Sequence, residues 1–217
     1  MLNYKITSIF PSPVYQGIID KNIFDSALPH LRKCVSENLY GKEITKEIKL
    51  HGTKKIRTDR NVLDDVNLSE LRDHLTEHLN EYLTNVIGEK NDRFRLYITT
   101  SWSIGLLQGS RLHEHNHPNS IVSGVLYWDN PDDVSPLIIR KDSCSPTSIL
   151  ELGPSHPTQY TRNRIEIKPV NGSFLLFPSN IKHEVSVNES CGTRYCLAFD
   201  TFVEGEIGSR RNILNFN

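Results

Sequence analysis

Apolar and polar positions repeat with two different periods along the chain, and the change falls near residue 92. Before it, Leu68, Leu71, Leu75, Leu79, Leu83 and Val86 recur every three or four residues, the spacing of one helical face. This predicts a helix over about 67–87, with Gly88 placed to end it. A second stripe, Ile23, Leu28, Leu31 and Val35, predicts a helix over about 22–39. Pro29 conflicts with that reading unless the helix begins near it, because a proline deeper inside removes a backbone donor. The opening residues 9–15 are short, apolar and bounded by prolines, which suits an edge strand.

After residue 92, Phe94, Leu96 and Ile98 alternate with Arg93, Arg95 and Tyr97, the two-residue period of a strand. Short alternating or β-branched runs continue at about 93–107, 110–117, 121–128, 136–140, 164–168, 173–177, 183–187 and 194–203. Turn residues such as Asn130-Pro131-Asp132 and Asn171-Gly172 separate them. Two helices followed by eight strands predict a mainly β fold, a sandwich or jelly roll with helices on one sheet. The expected organisation is one domain over 1–217, with 1–90 as support and 91–205 as the core. The last residues, from Gly208, read as a tail.

Composition narrows the class. Lys and Arg number 25 against 26 Asp and Glu, so the net charge is −1. A protein built mainly to grip nucleic acid needs a positive footprint, and this chain lacks one. No run approaches the roughly 20 apolar residues that span a bilayer, and the start resembles no signal peptide. Four cysteines, at 34, 144, 191 and 196, form no CxxC pair and read as reduced thiols, so a cytoplasmic location is expected. Residues 41–61 are rich in both lysine and glutamate. They read as a solvated connector or, alternatively, as a flap supplying cations to an anionic substrate.

The chemistry concentrates in Gly109-Ser110-Arg111-Leu112-His113-Glu114-His115-Asn116-His117-Pro118. Histidines at alternate positions of an extended strand point to one face, where crowded imidazoles repel unless an ion coordinates them. A third ligand must come from a distant strand, and His183 in the 183–187 run is the candidate. His115 with His117 is the favoured pair, and His113 with His115 the rival. Ligating imidazoles must be neutral, so binding is expected to weaken below about pH 6. His74 and His78, four apart on the predicted helix, read as flank residues, and His30, His51 and His156 as isolated ones.

The run His115-Asn116-His117-Pro118-Asn119-Ser120-Ile121-Val122-Ser123-Gly124-Val125-Leu126-Tyr127 resembles the HxHPNSxxSGVxY signature of the 2-oxoglutarate/Fe(II) oxygenases of bacteria and phages. The distal run, with Pro169, Gly172, Phe177-Pro178-Ser179, His183, Arg194 and Ala198-Phe199-Asp200, is similar to their second signature. The resemblance implies a double-stranded β-helix holding one Fe(II), with His115 and His183 as ligands. His117 stands where most such enzymes carry Asp or Glu, so it is either a third imidazole ligand or a residue that leaves the place to water. Arg194, eleven residues after His183, would grip the far carboxylate of 2-oxoglutarate, with Tyr127, Ser123 and Cys196 as further co-substrate contacts. Cys196 replaces the serine common at that place. His113, Trp102 and Arg140 are expected to face the substrate.

The implied activity consumes O2 and 2-oxoglutarate, releases succinate and CO2, and hydroxylates an unactivated C–H bond of an amino acid, peptide side chain or small metabolite. The residues also partly fit the cupin patterns G-x5-HxH and G-x5-P-x-G-x2-H. A cupin-type enzyme without 2-oxoglutarate, or a metal-binding barrel without catalysis, is therefore the alternative. Barrel edges make a homodimer reasonable.

Overall fold

The computed structural model describes residues 5–7, 11–36, 55–58, 61–140, 155–156, 158–209 and 211–216. Cys144, His51 and most of the charged 41–61 segment lie outside those residues.

Eight antiparallel strands make the jelly roll. Its large sheet runs β8 (Ser173–Pro178), β5 (Val122–Tyr127), β10 (Arg194–Ile207), β3 (Phe94–Leu106). The facing sheet runs β4 (Leu112–His115), β9 (His183–Val185), β6 (Leu137–Arg140), β7 (Arg164–Ile167). Three short strands extend the large sheet: β1 (Tyr15–Ile18) on β8, β2 (Lys55–Arg57) on β3, and β11 (Leu214–Phe216) on β10. The first strand therefore starts where the sequence expected it to end. The presumed tail is paired, and part of the charged connector is a strand.

Two apolar layers flank the large sheet, and strand parity assigns each residue to one of them. Leu175, Phe177, Val125, Tyr127 and Cys196 point into the barrel, where they meet Leu137 and Val185 of the small sheet. Phe174, Leu176, Leu126, Leu197 and Phe199 point outward beneath the helices. Helix α1 (Lys21–Ser36) covers them with Ala27 and Leu31, and α2 (Ser69–Tyr82) with Leu71, Leu75 and Leu79. Gly124 is required at this contact, since a Cβ there would lie 2.0 Å from the Phe199 ring.

Parity changes once along β3. Its register against β10 shifts between Asp200 and Thr201, leaving Thr99 as an extra residue. Leu96 and Ile98 consequently face the helices, whereas Trp102, Ile104 and Leu106 face the barrel.

Pro29 lies inside α1 rather than at its start. Both Pro29 and Asp25, whose carbonyl loses its helical donor, are exposed, so water can satisfy that carbonyl. α2 continues as a π-helical turn over Leu83–Ile87 and stops at Gly88, at φ 88°. On its flank, His78 Nδ1 lies 2.8 Å from the Tyr15 hydroxyl and its ring packs on Phe174. Among the described residues no helix is long and apolar enough to cross a membrane.

Arg32 of α1 fastens the helix layer to the end of β5 through two hydrogen bonds to Asp129, at 2.8 and 2.6 Å. Those bonds hold the Asp129 carboxyl below its ordinary pKa. A carboxyl depressed on folding contributes stability above its unfolded pKa, and the contribution disappears as pH falls through the folded value. The pair is half-exposed, so Arg32→Ala should cost no more than about 1 kcal/mol at pH 7. The difference in urea midpoint between wild type and variant should narrow as pH falls below the ordinary carboxylate range.

Candidate active site

Three imidazoles converge at one end of the barrel. His115 and His183 are directly opposed across β4 and β9, with ring centroids 4.4 Å apart. His117, just beyond β4, is fixed by its backbone N–H to the Ser179 carbonyl at 2.9 Å. Its ring centroid is 5.2 Å from that of His183 and 5.4 Å from that of His115. One ring nitrogen from each lies within 4.8 Å of the others, a spacing one metal ion can bridge.

Each ring has an acceptor at Nδ1. His115 Nδ1 faces the His113 carbonyl at 2.7 Å, His183 Nδ1 the Ile181 carbonyl at 3.0 Å, and His117 Nδ1 the Asp200 carboxylate at 2.6 Å. A proton on every Nδ1 leaves every Nε2 lone pair for a ligand, the tautomer that metal-binding histidines adopt. Burial pushes the His183 pKa down to about 4, helped by the neighbouring imidazoles. His183 therefore stays neutral well below the pH 6 expected from sequence.

His113 does not join this group, and the reason is a register shift in β4 between Leu112 and His115. Leu112 packs into the barrel core and His115 still points inward three residues later, so simple alternation fails. The His113 side chain lies on the cavity wall, while its carbonyl orients His115.

The three histidines open onto a cavity of about 550 Å³. Trp102, Ile104, Leu112, Val125, Leu137 and Phe177 form much of its wall, and the Trp102 ring stacks on His117 at 5.7 Å. Arg194, Cys196, Ala198 and Asp200 enter it from alternate positions of β10. Arg194 is 1% exposed. Its Nε donates to the Ser135 carbonyl at 2.9 Å, and Nη1 lies 3.8 Å from Cys196 Sγ. Its charge sits 5.2 Å above the Tyr127 ring. Nη2 has no hydrogen-bond partner, and neither has the buried Tyr127 hydroxyl. That hydroxyl is close enough to feel the guanidinium but makes no well-directed bond to it. Burial raises the Tyr127 pKa, so the phenol remains a neutral donor. Burial also raises that of the Cys196 thiol.

A buried guanidinium with an idle N–H is costly unless an anion joins it. An idle guanidinium N–H on the wall of the cavity that holds three imidazoles, with the idle Tyr127 hydroxyl on the ring beside it, suits a small dicarboxylate bound there. The residues present thus fit Fe(II) and 2-oxoglutarate, judged by the donor set and by these orphaned atoms.

Two other expected contacts sit elsewhere. Arg140 points out of the small sheet and pairs with Glu184 at 2.5 Å, since its neighbours Leu137 and Ile139 take the inward positions. It does not line the cavity. Ser123 is buried behind the wall, donating to Asp200 at 3.0 Å and lying 2.8 Å from Ser179 Oγ. Asp200 itself was not singled out from the sequence. It lies an even number of residues from Arg194 on one strand, and that parity could have revealed it.

Residues 100–200 match the model of a family described as "Putative 2OG-Fe(II) oxygenase". Among curated proteins, none matches the chain significantly in sequence. Solved structures with a similar fold include the epimerase SnoN in complex with Fe3+, α-ketoglutarate and nogalamycin RO. It is 12% identical with a TM-score of 0.63, over 89% of this chain and 81% of that one. A Pseudomonas putida prolyl-4-hydroxylase is 13% identical with a TM-score of 0.57, over 88% and 92%. A Trichoplax adhaerens prolyl hydroxylase, solved with a hypoxia inducible factor peptide fragment, is 14% identical with a TM-score of 0.55, over 88% and 82%. Residues 100–200, a little under half of the chain, are thus similar to the 2OG-Fe(II) oxygenase family, and the solved structures share the fold of this chain.

Proposed function

We propose that the protein hydroxylates an unactivated C–H bond of an amino acid, peptide side chain or small metabolite. The observation that carries this reading is the pairing, in one cavity, of three Nδ1-anchored imidazoles with an unfulfilled buried guanidinium.

His115, His117 and His183 would hold Fe(II) through Nε2. Arg194 Nη2 and the Tyr127 hydroxyl would take the far carboxylate of 2-oxoglutarate, with Cys196 against the guanidinium. When bound, iron and co-substrate supply the oxidising chemistry: O2 is consumed, 2-oxoglutarate becomes succinate and CO2, and one oxygen atom enters the substrate. The protein orients and excludes water. Trp102 covers one side of His117, the apolar wall keeps the interior dry, and Arg194 fixes which end of the dicarboxylate faces the histidines. Substrate would enter past His113. A peptide is one candidate, as in the Trichoplax enzyme, and a compact metabolite is the other.

A cupin-type metal enzyme would share the histidines, but Arg194 would then have no anion to hold. Anaerobic addition of 2-oxoglutarate to Fe(II)-loaded protein is expected to give a weak visible charge-transfer band, and admission of O2 to give succinate. Metal uptake with neither signal would favour the cupin alternative.

A further inference from the structure

We infer that Asp200 is a positioning residue that couples a full negative charge to the three-histidine centre through its hydrogen bond to His117. This inference rests on the proposed metal site. The three imidazoles are backed differently. His115 and His183 lean on backbone carbonyls, which offer a dipole, whereas His117 leans on a carboxylate, which offers a full charge. At 2.6 Å the His117–Asp200 contact is the shortest of the three, as a charge-assisted hydrogen bond should be.

Asp200 is held for this task. Ser123 Oγ donates to the same Oδ1 at 3.0 Å, and Ser123 is itself buried against Ser179. Among the described residues Asp200 has no Lys or Arg partner to neutralise it, so its charge acts on the imidazoles, at His117 through the hydrogen bond and at His183 across the site. An imidazole that donates Nδ1–H to a carboxylate becomes a more basic donor at Nε2. Three neutral ligands bring no negative charge of their own to a dipositive ion in this cavity. Asp200 offsets part of that charge from one ring away. It also fixes the plane of the His117 ring, the one ring of the three outside the β4–β9 ladder.

The test uses Co(II), a spectroscopic stand-in for Fe(II), added to the metal-free full-length protein. Asp200→Asn keeps an oxygen for Nδ1–H but loses the charge, and Asp200→Ala loses both. Co(II) affinity is expected to fall about tenfold in Asp200→Asn and towards a hundredfold in Asp200→Ala, with shifted visible bands in each. Wild-type affinity and bands in Asp200→Asn would overturn the inference while leaving the metal site intact. Failure of the wild type to take up Co(II), or undiminished uptake by His183→Ala, would defeat both readings. Should Asp200→Asn not fold, metal-free wild type decides. Its His117 ring N–H should appear in the proton NMR spectrum well downfield of those of His115 and His183, and an ordinary position overturns the inference.

Discussion

Replacing His183 by alanine is expected to lower metal affinity by more than about a hundredfold while the barrel still folds. Loss of a hydrogen-bond partner behind a ligating histidine already costs roughly 10- to 100-fold, so loss of the ligand itself must cost more. His183 is also the residue that positions the pair, because it sits directly across the ladder from His115. Its ring meets Phe177 edge-on at 5.0 Å, and the void left there should lower the thermal midpoint of the metal-free protein by a few degrees. Metal titration by calorimetry, with circular dichroism as the check on folding, separates the two effects. A variant that unfolds only modestly earlier yet binds no metal is the expected result. Equal binding by variant and wild type would remove His183 from the site.

Arg194→Leu should separate stability from function more sharply. In the protein alone, the guanidinium is buried with a carbonyl and a thiol for company and one N–H idle. Replacing such a charge with an apolar side chain of similar reach is often neutral or stabilising. The unfolding midpoint of the variant should therefore match or exceed that of wild type. 2-Oxoglutarate binding should move the other way, by roughly 2–5 kcal/mol, or about thirty- to several-thousand-fold. Arg194→Lys keeps the charge but not the two parallel donors, and should recover only part of the affinity. Calorimetric titration of 2-oxoglutarate into metal-loaded protein measures both variants. Unaltered affinity in Arg194→Leu would mean that the anion site lies elsewhere.

Most of the barrel could be read from the chain because its strands alternate cleanly against a buried sheet. Expected runs such as 121–128 and 173–177 match β5 and β8 to within one residue at each end. The stripe of leucines at 68, 71, 75 and 79 likewise gave α2, since helix and sheet each bury one face. What escaped was local. The extra residue at Thr99 and the shift in β4 change parity without any glycine or proline to mark them. Strict alternation therefore placed His113 beside His115 and His117, and the register shift separates it. Arg140 went astray differently. Its strand had been located, but nothing in Leu137-Ile138-Ile139-Arg140 indicates which face looks inward when both carry apolar residues. The edge strands β2 and β11 were missed because they are three residues long and gain order only from a neighbour already in place. Asp200 was legible in principle, but its significance depends on a contact 83 residues away.

The three imidazoles do not belong to one layer. His115 and His183 are carried by the small sheet, whereas His117 is braced by Asp200 of the large one. An ion gripped by all three would thus act as a hasp across the rim, joining the two layers at that end. Loading and rim rigidity then become linked quantities, each favouring the other by mass action. The mouth through which a substrate must pass would be set by the same ion that waits inside it.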